Sequence, residues 1–377
     1  MGAINNRPKV LFILHLPPPV HGAAMMGKYI HDSKLVNGKF DCHYINLSTA
    51  KDLADIGKVG MKKLINFIGL LRKIRKEVRK LRPQLVYVTP NACGGAFYKD
   101  FIVVEMLKRM GCKVVVHYHN KGVATRQNCK FDDCLYRKFF KGIKVILLSE
   151  KLYDDVKKYV KREDVFFCPN GIPENISANS KEERTINAVP RILFLSNLLE
   201  SKGVIVLLDA LKILKDKGYS FICNFVGGET SEIDSARFKA EVEKRYLNNM
   251  ALYIGRKYGV DKDAVFEQSD VFVFPTFYHN ETFGLVNLEA MEHKLPIVTT
   301  DEGGITDVVK NGKNGLISEK KNPISLAKCI EVLITDKDLC EKMGEEGYRM
   351  FKRDYTLSAF EKHFADCVNK CLTGGEM

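Results

Sequence analysis

Twice along this chain, short runs of β-branched and aromatic residues alternate with stretches of helical length, and this doubled alternation constrains the fold more than any other feature. Apolar runs at 9–14, 41–47, 84–89, 113–118 and 144–148 form one series, and runs at 191–195, 220–226, 251–254, 271–274 and 296–299 form a second. Strands separated by helical crossovers pair in parallel, so each series predicts a doubly wound α/β sheet. At 377 residues the chain is too long for one ordinary core. Between the two series lie the turn Pro169-Asn170-Gly171-Ile172-Pro173 and a polar run at 174–188 with little to bury, which puts a hinge there. The expectation is two Rossmann-like domains, 1–172 and 173–354, with substrate held in a cleft between them.

Charge and cysteine usage narrow the function classes. A formal charge of +13 asks for an anionic partner: nucleic acid, acidic lipid or a phosphorylated small molecule. The chain has no recognisable nucleic-acid motif and no Trp, so charge alone speaks for a nucleic-acid role. Its eleven cysteines are scattered through apolar segments without an export signal, which predicts reduced thiols and a cytoplasmic location. Neither the Cys129/Cys134 pair nor the Cys367/Cys371 pair has companion ligands at zinc-ribbon spacing, so no structural metal is expected. The apolar run 10–14 is too short for a signal segment or a membrane span. Met1-Gly2 opens like a myristoylation signal, but Asn6 stands where Ser or Thr is required.

The most informative stretch follows the run 271–274, which Pro275 stops. Glu281-Thr282-Phe283-Gly284-Leu285-Val286 leads into a helix expected to begin near Phe283 and to contain Leu288-Glu289-Ala290-Met291; Leu295-Pro296-Ile297-Val298 and Gly303-Gly304 come next. Open α/β sheets bind ligands at the carboxyl ends of their strands, where a helix N-terminus offers unpaired N–H groups to an anion, here those of Phe283, Gly284 and Leu285. Glu281 stands in the loop. Glu289, flanked by apolar residues, needs a polar partner such as a ribose hydroxyl. Together these segments resemble the donor-site signature of the retaining GT-B glycosyltransferases, specifically glycosyltransferase family 4. The resemblance implies a GT-B fold, a nucleoside-diphosphate-sugar donor linked to UDP or GDP, and neither cofactor nor bound metal. It also implies that segment 355–377, amphipathic over 357–372, returns to the first domain as a closing helix.

Other candidate residues fall at strand ends. After the first run comes Pro17-Pro18-Pro19-Val20-His21-Gly22, where backbone near Gly22 can approach a phosphate closely; in the family this loop faces the donor diphosphate. No G-x-G-x-x-G or Walker sequence is present. His117 and His119 stand at the end of the fourth run, on one side of the strand unless the strand has already ended, and the resemblance puts a histidine beside the donor sugar at the position of His119. In Ser196-Asn197-Leu198-Leu199-Glu200-Ser201-Lys202-Gly203, Lys202 matches the lysine that steadies the leaving diphosphate. The family usually has Gly-Arg where this chain has Ser196-Asn197, so a second phosphate cation is missing. Gly227-Gly228 and Gly255-Arg256 resemble the base-contacting loops, with backbone amides against a flat nucleobase and Arg256 as the leading contact.

These readings point to a cytoplasmic enzyme that moves a sugar onto a glycan or a polyprenyl-diphosphate-linked saccharide in bacterial capsule, lipopolysaccharide or exopolysaccharide synthesis. Glu281 orients the donor sugar, and the leaving phosphate helps deprotonate the incoming hydroxyl. The alternatives are a non-hydrolysing nucleotide-sugar epimerase of the same fold and a non-enzymatic protein that binds anionic membrane or nucleic acid. The segment 61–81 bears on the membrane: Leu64, Ile68, Leu71, Ile74, Val78 and Leu81 recur at helical spacing as a stripe expected to be mostly core, while Phe67 and Leu70 widen it and a cationic face stands opposite. Peripheral docking on the inner face of the plasma membrane is the expectation that follows.

Overall fold

The computed structural model describes residues 7–18, 21–47, 61–175 and 187–374, and the side chains of 61–63 are outside that description. Pro19, Val20 and most of the polar run, 176–186, are outside it too. The chain divides into two compact units, one made of 1–170 and 357–377, the other of 171–356.

The first unit holds a parallel six-stranded sheet: β1 (Lys9–Leu14), β2 (Asp41–Asn46), β3 (Leu85–Val88), β4 (Val114–His117), β5 (Lys144–Leu147) and β6 (Val165–Phe167), in the order β2-β1-β3-β4-β5-β6. The second holds β7 (Arg191–Leu195), β8 (Ile222–Val226), β9 (Ala251–Tyr253), β10 (Val271–Phe274), β11 (Ile297–Thr300) and β12 (Gly315–Ser318), in the order β12-β11-β10-β7-β8-β9, also parallel. Every residue of β3, β4, β10 and β11 is buried. Helices cover both faces of such sheets, which is why the strands read as unbroken apolar runs rather than alternating ones. The strand order reverses between β1 and β3 in one unit and between β7 and β10 in the other. A doubly wound sheet opens its ligand crevice at such a point, beyond the carboxyl ends of the two strands.

The helix Leu357–Thr373 belongs to the first unit although it follows the second unit in the chain. Its Phe364 lies 5.2 Å from Tyr87, 6.2 Å from Phe12 and 6.4 Å from His117, ring centre to ring centre, and Lys113 Nζ donates to the Leu372 carbonyl at 2.9 Å. Phe364 is fully buried, so truncation to Ala costs about 3–5 kcal/mol.

The helix Met61–Leu81 departs from the expected stripe. Phe67, Ile74 and Val78 are buried, whereas Leu64, Ile65 and Ile68 are 57%, 64% and 40% exposed. At about 100° per residue, Phe67, Ile74 and Val78 share one face, and Leu64 and Ile68 stand to one side of it. Phe67 therefore belongs to the core rather than widening an exposed surface. Among the described residues, no helix is long and apolar enough to cross a membrane, and all eleven cysteines are free thiols.

Candidate functional site

The crevice of the second unit is built by two loops that glycines allow to touch. After β7 a short turn, Glu200–Lys202, ends at Gly203, whose φ of 90° is left-handed; a Cβ there would lie 2.4 Å from the Pro275 carbonyl oxygen. The loop after β10 meets it, with Phe277 N donating to the Ser201 carbonyl at 2.8 Å. Gly303 does the same from β11: its φ is 57°, and a Cβ would stand 2.3 Å from the Glu281 carbonyl oxygen. Gly304 N then donates to the Thr282 carbonyl at 2.7 Å. These contacts bring together two of the sequence candidates. Lys202 Nζ lies 2.5 Å from Glu281 Oε2, both side chains nearly buried, and the ammonium sits over the rings of Tyr278 (4.6 Å) and Phe274 (5.4 Å). Aromatic faces hold a cation in place without neutralising it.

The helix beyond begins at Leu285, two residues later than expected, because Gly284 adopts a left-handed conformation (φ 68°) and serves as its N-cap. Thr282 and Phe283 are buried in the loop ahead of it. Asn287, on the first turn, is fully buried, and its side-chain oxygen and nitrogen have no hydrogen-bond partner among the described residues; the nitrogen stands 2.7 Å from where a Gly284 Cβ would be. Nothing in the sequence marked Asn287 as polar and enclosed. Glu289 differs from the expectation as well. It is partly exposed and its partner is Lys262, Nζ to Oε1 2.9 Å, on the helix Val260–Glu267. A lysine from a neighbouring helix thus meets the need that a ribose hydroxyl was expected to meet.

Ser196 and Asn197 shape the neighbouring wall. Ser196 N donates to the Val226 carbonyl at 2.9 Å, Asn197 Oδ1 accepts from Gly228 N at 3.3 Å, and Gly227 N donates to the Gly255 carbonyl at 3.0 Å. The amides of Gly227 and Gly228, expected to face a base, are instead used within the unit, since buried donors must be paired. Arg256 is exposed, and its guanidinium lies against Gly228, where a Cβ would be 2.3 Å from Nε. The asparagine that replaces the expected arginine holds the loop on which the Arg256 guanidinium rests.

The first unit's strand ends carry imidazoles rather than ion pairs. His119 lies 4.3 Å from His117, ring centre to ring centre, and His15, just beyond β1, lies 5.9 Å from His21. His117 Nδ1 is 2.8 Å from the Tyr87 hydroxyl. Burial, aided by the neighbouring imidazoles, pushes His119 down to about 3 and His15 to about 4, and His117 well below its ordinary value; burial also lowers His21. Gly22 opens the helix Gly22–Asp32, but His21 caps it, Nδ1 accepting from Ala24 N at 3.3 Å, so one of the amides near Gly22 is already engaged. Beyond the end of β3, Asp100 accepts from Asn91 N and Nδ2 at 2.8 and 2.9 Å, with its carboxyl raised by burial to about 6. No motif marks His15 as a site residue. Its signal was position: it follows directly on a buried strand, as His119 follows β4 at one residue's remove.

Residues 175–350 match the model of a family described as Glycosyl transferases group 1. The matched stretch lies within the second unit, 171–356. The capsular polysaccharide biosynthesis glycosyltransferase CapM of Staphylococcus aureus is 28% identical over 205 residues, 54% of this chain and 52% of that protein. The poly(glycerol-phosphate) alpha-glucosyltransferase of Bacillus subtilis is 25% identical over 235 residues, 60% of this chain and 33% of that protein. The matches thus span about half of these relatives or less. Among solved structures, Anabaena Alr3699/HepE in complex with UDP aligns with a TM-score of 0.74 over 96% of this chain and 100% of that one, at 16% identity. Sucrose-phosphate synthase of Thermosynechococcus elongatus aligns with 0.72 over 98% and 100%, also at 16%. This likeness is one of fold, two parallel six-stranded sheets with flanking helices as in GT-B proteins.

Proposed function

We propose that this protein is a retaining, metal-independent glycosyltransferase of family 4 that moves a sugar from a UDP- or GDP-linked donor to a glycan or polyprenyl-diphosphate-linked saccharide, in bacterial surface-polysaccharide synthesis. The observation that carries the reading is the Lys202–Glu281 pair, set at the strand-order reversal of the second unit and shelved on Tyr278 and Phe274. A diphosphate entering this crevice competes with Glu281 for the Lys202 ammonium. As the glycosidic bond breaks, negative charge grows on the leaving phosphate, and a preorganised cation there lowers the barrier. Glu281, relieved of the lysine, accepts hydrogen bonds from the donor sugar's hydroxyls. The backbone amides of Gly284 and Leu285 offer further donors at a helix start, and Glu289 takes the ribose. His119 supplies a neutral hydrogen bond to the sugar. Docking of the first unit on an inner-leaflet surface brings a lipid-linked acceptor within reach.

A thermal-shift screen of nucleotide sugars tests the donor class, because a ligand that binds the native state raises its melting temperature. One UDP- or GDP-sugar should stand out, and transfer to a saccharide acceptor should preserve the anomeric configuration, read by NMR. An isomerised donor formed without acceptor would make the protein an epimerase instead. Activity should persist in EDTA; a loss restored by manganese or magnesium would overturn metal independence.

A further inference from the structure

The helix Met61–Leu81 presents a surface that neither sheet packing nor sugar transfer uses. At about 100° per residue, Leu64, Ile65, Ile68, Arg72, Arg75, Lys76 and Arg79 fall within one sector about 120° wide, beside the buried face. Along that sector the chemistry changes once: the first turns are apolar and exposed, and the later turns are cationic and exposed. The two patches lie about 14 Å apart along the axis, from a rise of about 1.5 Å per residue. Among the described residues none of these four cations has an ion-pair partner.

Alongside runs a groove of about 280 Å³ between this helix and the helix Gly94–Arg109, with Leu71, Ile102, Met106 and Met110 as its apolar walls and Arg75 and Arg109 at its rim. Ile102 is 47% exposed. Glu105 also borders the groove, but Lys108 Nζ holds it at 2.8 Å and Lys138 Nζ lies 3.7 Å away, so the local acid is already compensated.

We propose that this face is a docking surface for a bilayer containing anionic phospholipid, with Leu64, Ile65 and Ile68 entering the acyl boundary and Arg72, Arg75, Arg79 and Arg109 binding headgroup phosphates. The proposal rests on the peripheral docking included in the transferase reading and gives it an address. Guanidinium forks match phosphate oxygens, and an interfacial helix buries its apolar residues about 5–10 Å into the headgroup–acyl boundary. The groove accommodates a stretch of acyl chain below an Arg75–Arg109 phosphate clasp. A nucleic-acid backbone would satisfy the arginines but leave Leu64, Ile65 and Ile68 in water, so a bilayer accounts for more of the surface.

The experiment is co-sedimentation of the full chain with phosphatidylcholine vesicles, with and without phosphatidylglycerol, run beside donor turnover on a soluble acceptor. Binding should require phosphatidylglycerol and fall as salt shortens the screening length from about 10 Å at 0.1 M. Arg75→Glu with Arg109→Glu should lower partition on the order of a hundredfold, and Leu64→Ser with Ile65→Ser and Ile68→Ser about tenfold or more. Soluble turnover should stay unchanged in both variants, which separates this surface from the donor site. Lys328→Glu with Lys342→Glu removes equal charge from exposed positions of the second unit and should leave partition nearly intact. Equal loss in that control would reduce the effect to net charge and overturn the surface. Equal binding to neutral vesicles, no binding to either, or preferential capture of duplex nucleic acid would also overturn it.

Discussion

Both sheets reverse their strand order in the same manner, yet the two reversals are furnished with opposite chemistry. The second unit places compensated charges there, Lys202 with Glu281 and, close by, Lys262 with Glu289. The first places four imidazoles whose burial keeps them neutral at pH 7, together with a buried carboxyl raised to about 6. A paired charge can change partners when an anion arrives, which suits a leaving diphosphate. An enclosed neutral imidazole offers only hydrogen bonds, which suits a sugar. On the proposed reading, the same backbone plan divides the work by what it buries at equivalent strand ends.

The strongest test of that division is Lys202→Ala, expected to lower turnover about a hundredfold, or ~2.7 kcal/mol, because its charge acts chiefly in the transition state. Glu281→Gln should depress turnover more than nucleotide affinity. Wild-type turnover in both would remove the charged side of the comparison. Glu289→Ala should weaken donor binding by about 2 kcal/mol, roughly thirtyfold. Lys262→Ala, made alongside, should tighten or leave unchanged the donor affinity if Lys262 only occupies Glu289 until ribose replaces it; a matching thirtyfold loss would make the lysine itself a donor contact.

Acid should separate the units. Histidines with folded values below their unfolded value of about 6.5 leave the unfolded chain binding more protons, so stability falls as pH drops below that value. For His15 and His119, less the opposing gain from Asp100, the loss in the first unit is about 2 kcal/mol between pH 7 and pH 5. In the second unit burial lowers His293 but raises Glu292 to about 7, and the two oppose each other. Hydrogen exchange resolved by unit should show protection falling first in 1–170; parallel loss in both would contradict the contrast. The smallest effect belongs to His119→Ala, about 1 kcal/mol or roughly fivefold in turnover, the value of one neutral hydrogen bond. A loss as large as that of Lys202→Ala would mean that the imidazole carries charge after all.

Much of the fold was legible because buried parallel strands announce themselves as unbroken apolar runs, as in Leu85–Val88 and Val271–Phe274. β6 and β12 escaped because three or four residues at a sheet edge, in β12 beginning with glycine, carry too little pattern. Lys202 and Glu281 were named from motif resemblance, but their contact depends on Gly203 and Gly303 letting backbones touch, which sequence spacing does not reveal. Lys262 had no signal at all, since a lysine in a polar helix reads as a solvated one. Leu64 and Ile68 misled for the converse reason: periodicity gives a face but not which part of its length is covered.

The helix Leu357–Thr373 makes the first unit a discontinuous domain, with the whole second unit spliced between its two parts. During synthesis the second unit can close as soon as its own residues leave the ribosome, while the first still lacks Phe364 against Phe12 and Tyr87. The domain begun first is therefore the one finished last. A released chain truncated at residue 356 should hold a folded second unit and a first unit that proteases still cut, and chaperone contacts should persist longest on the amino-terminal sheet.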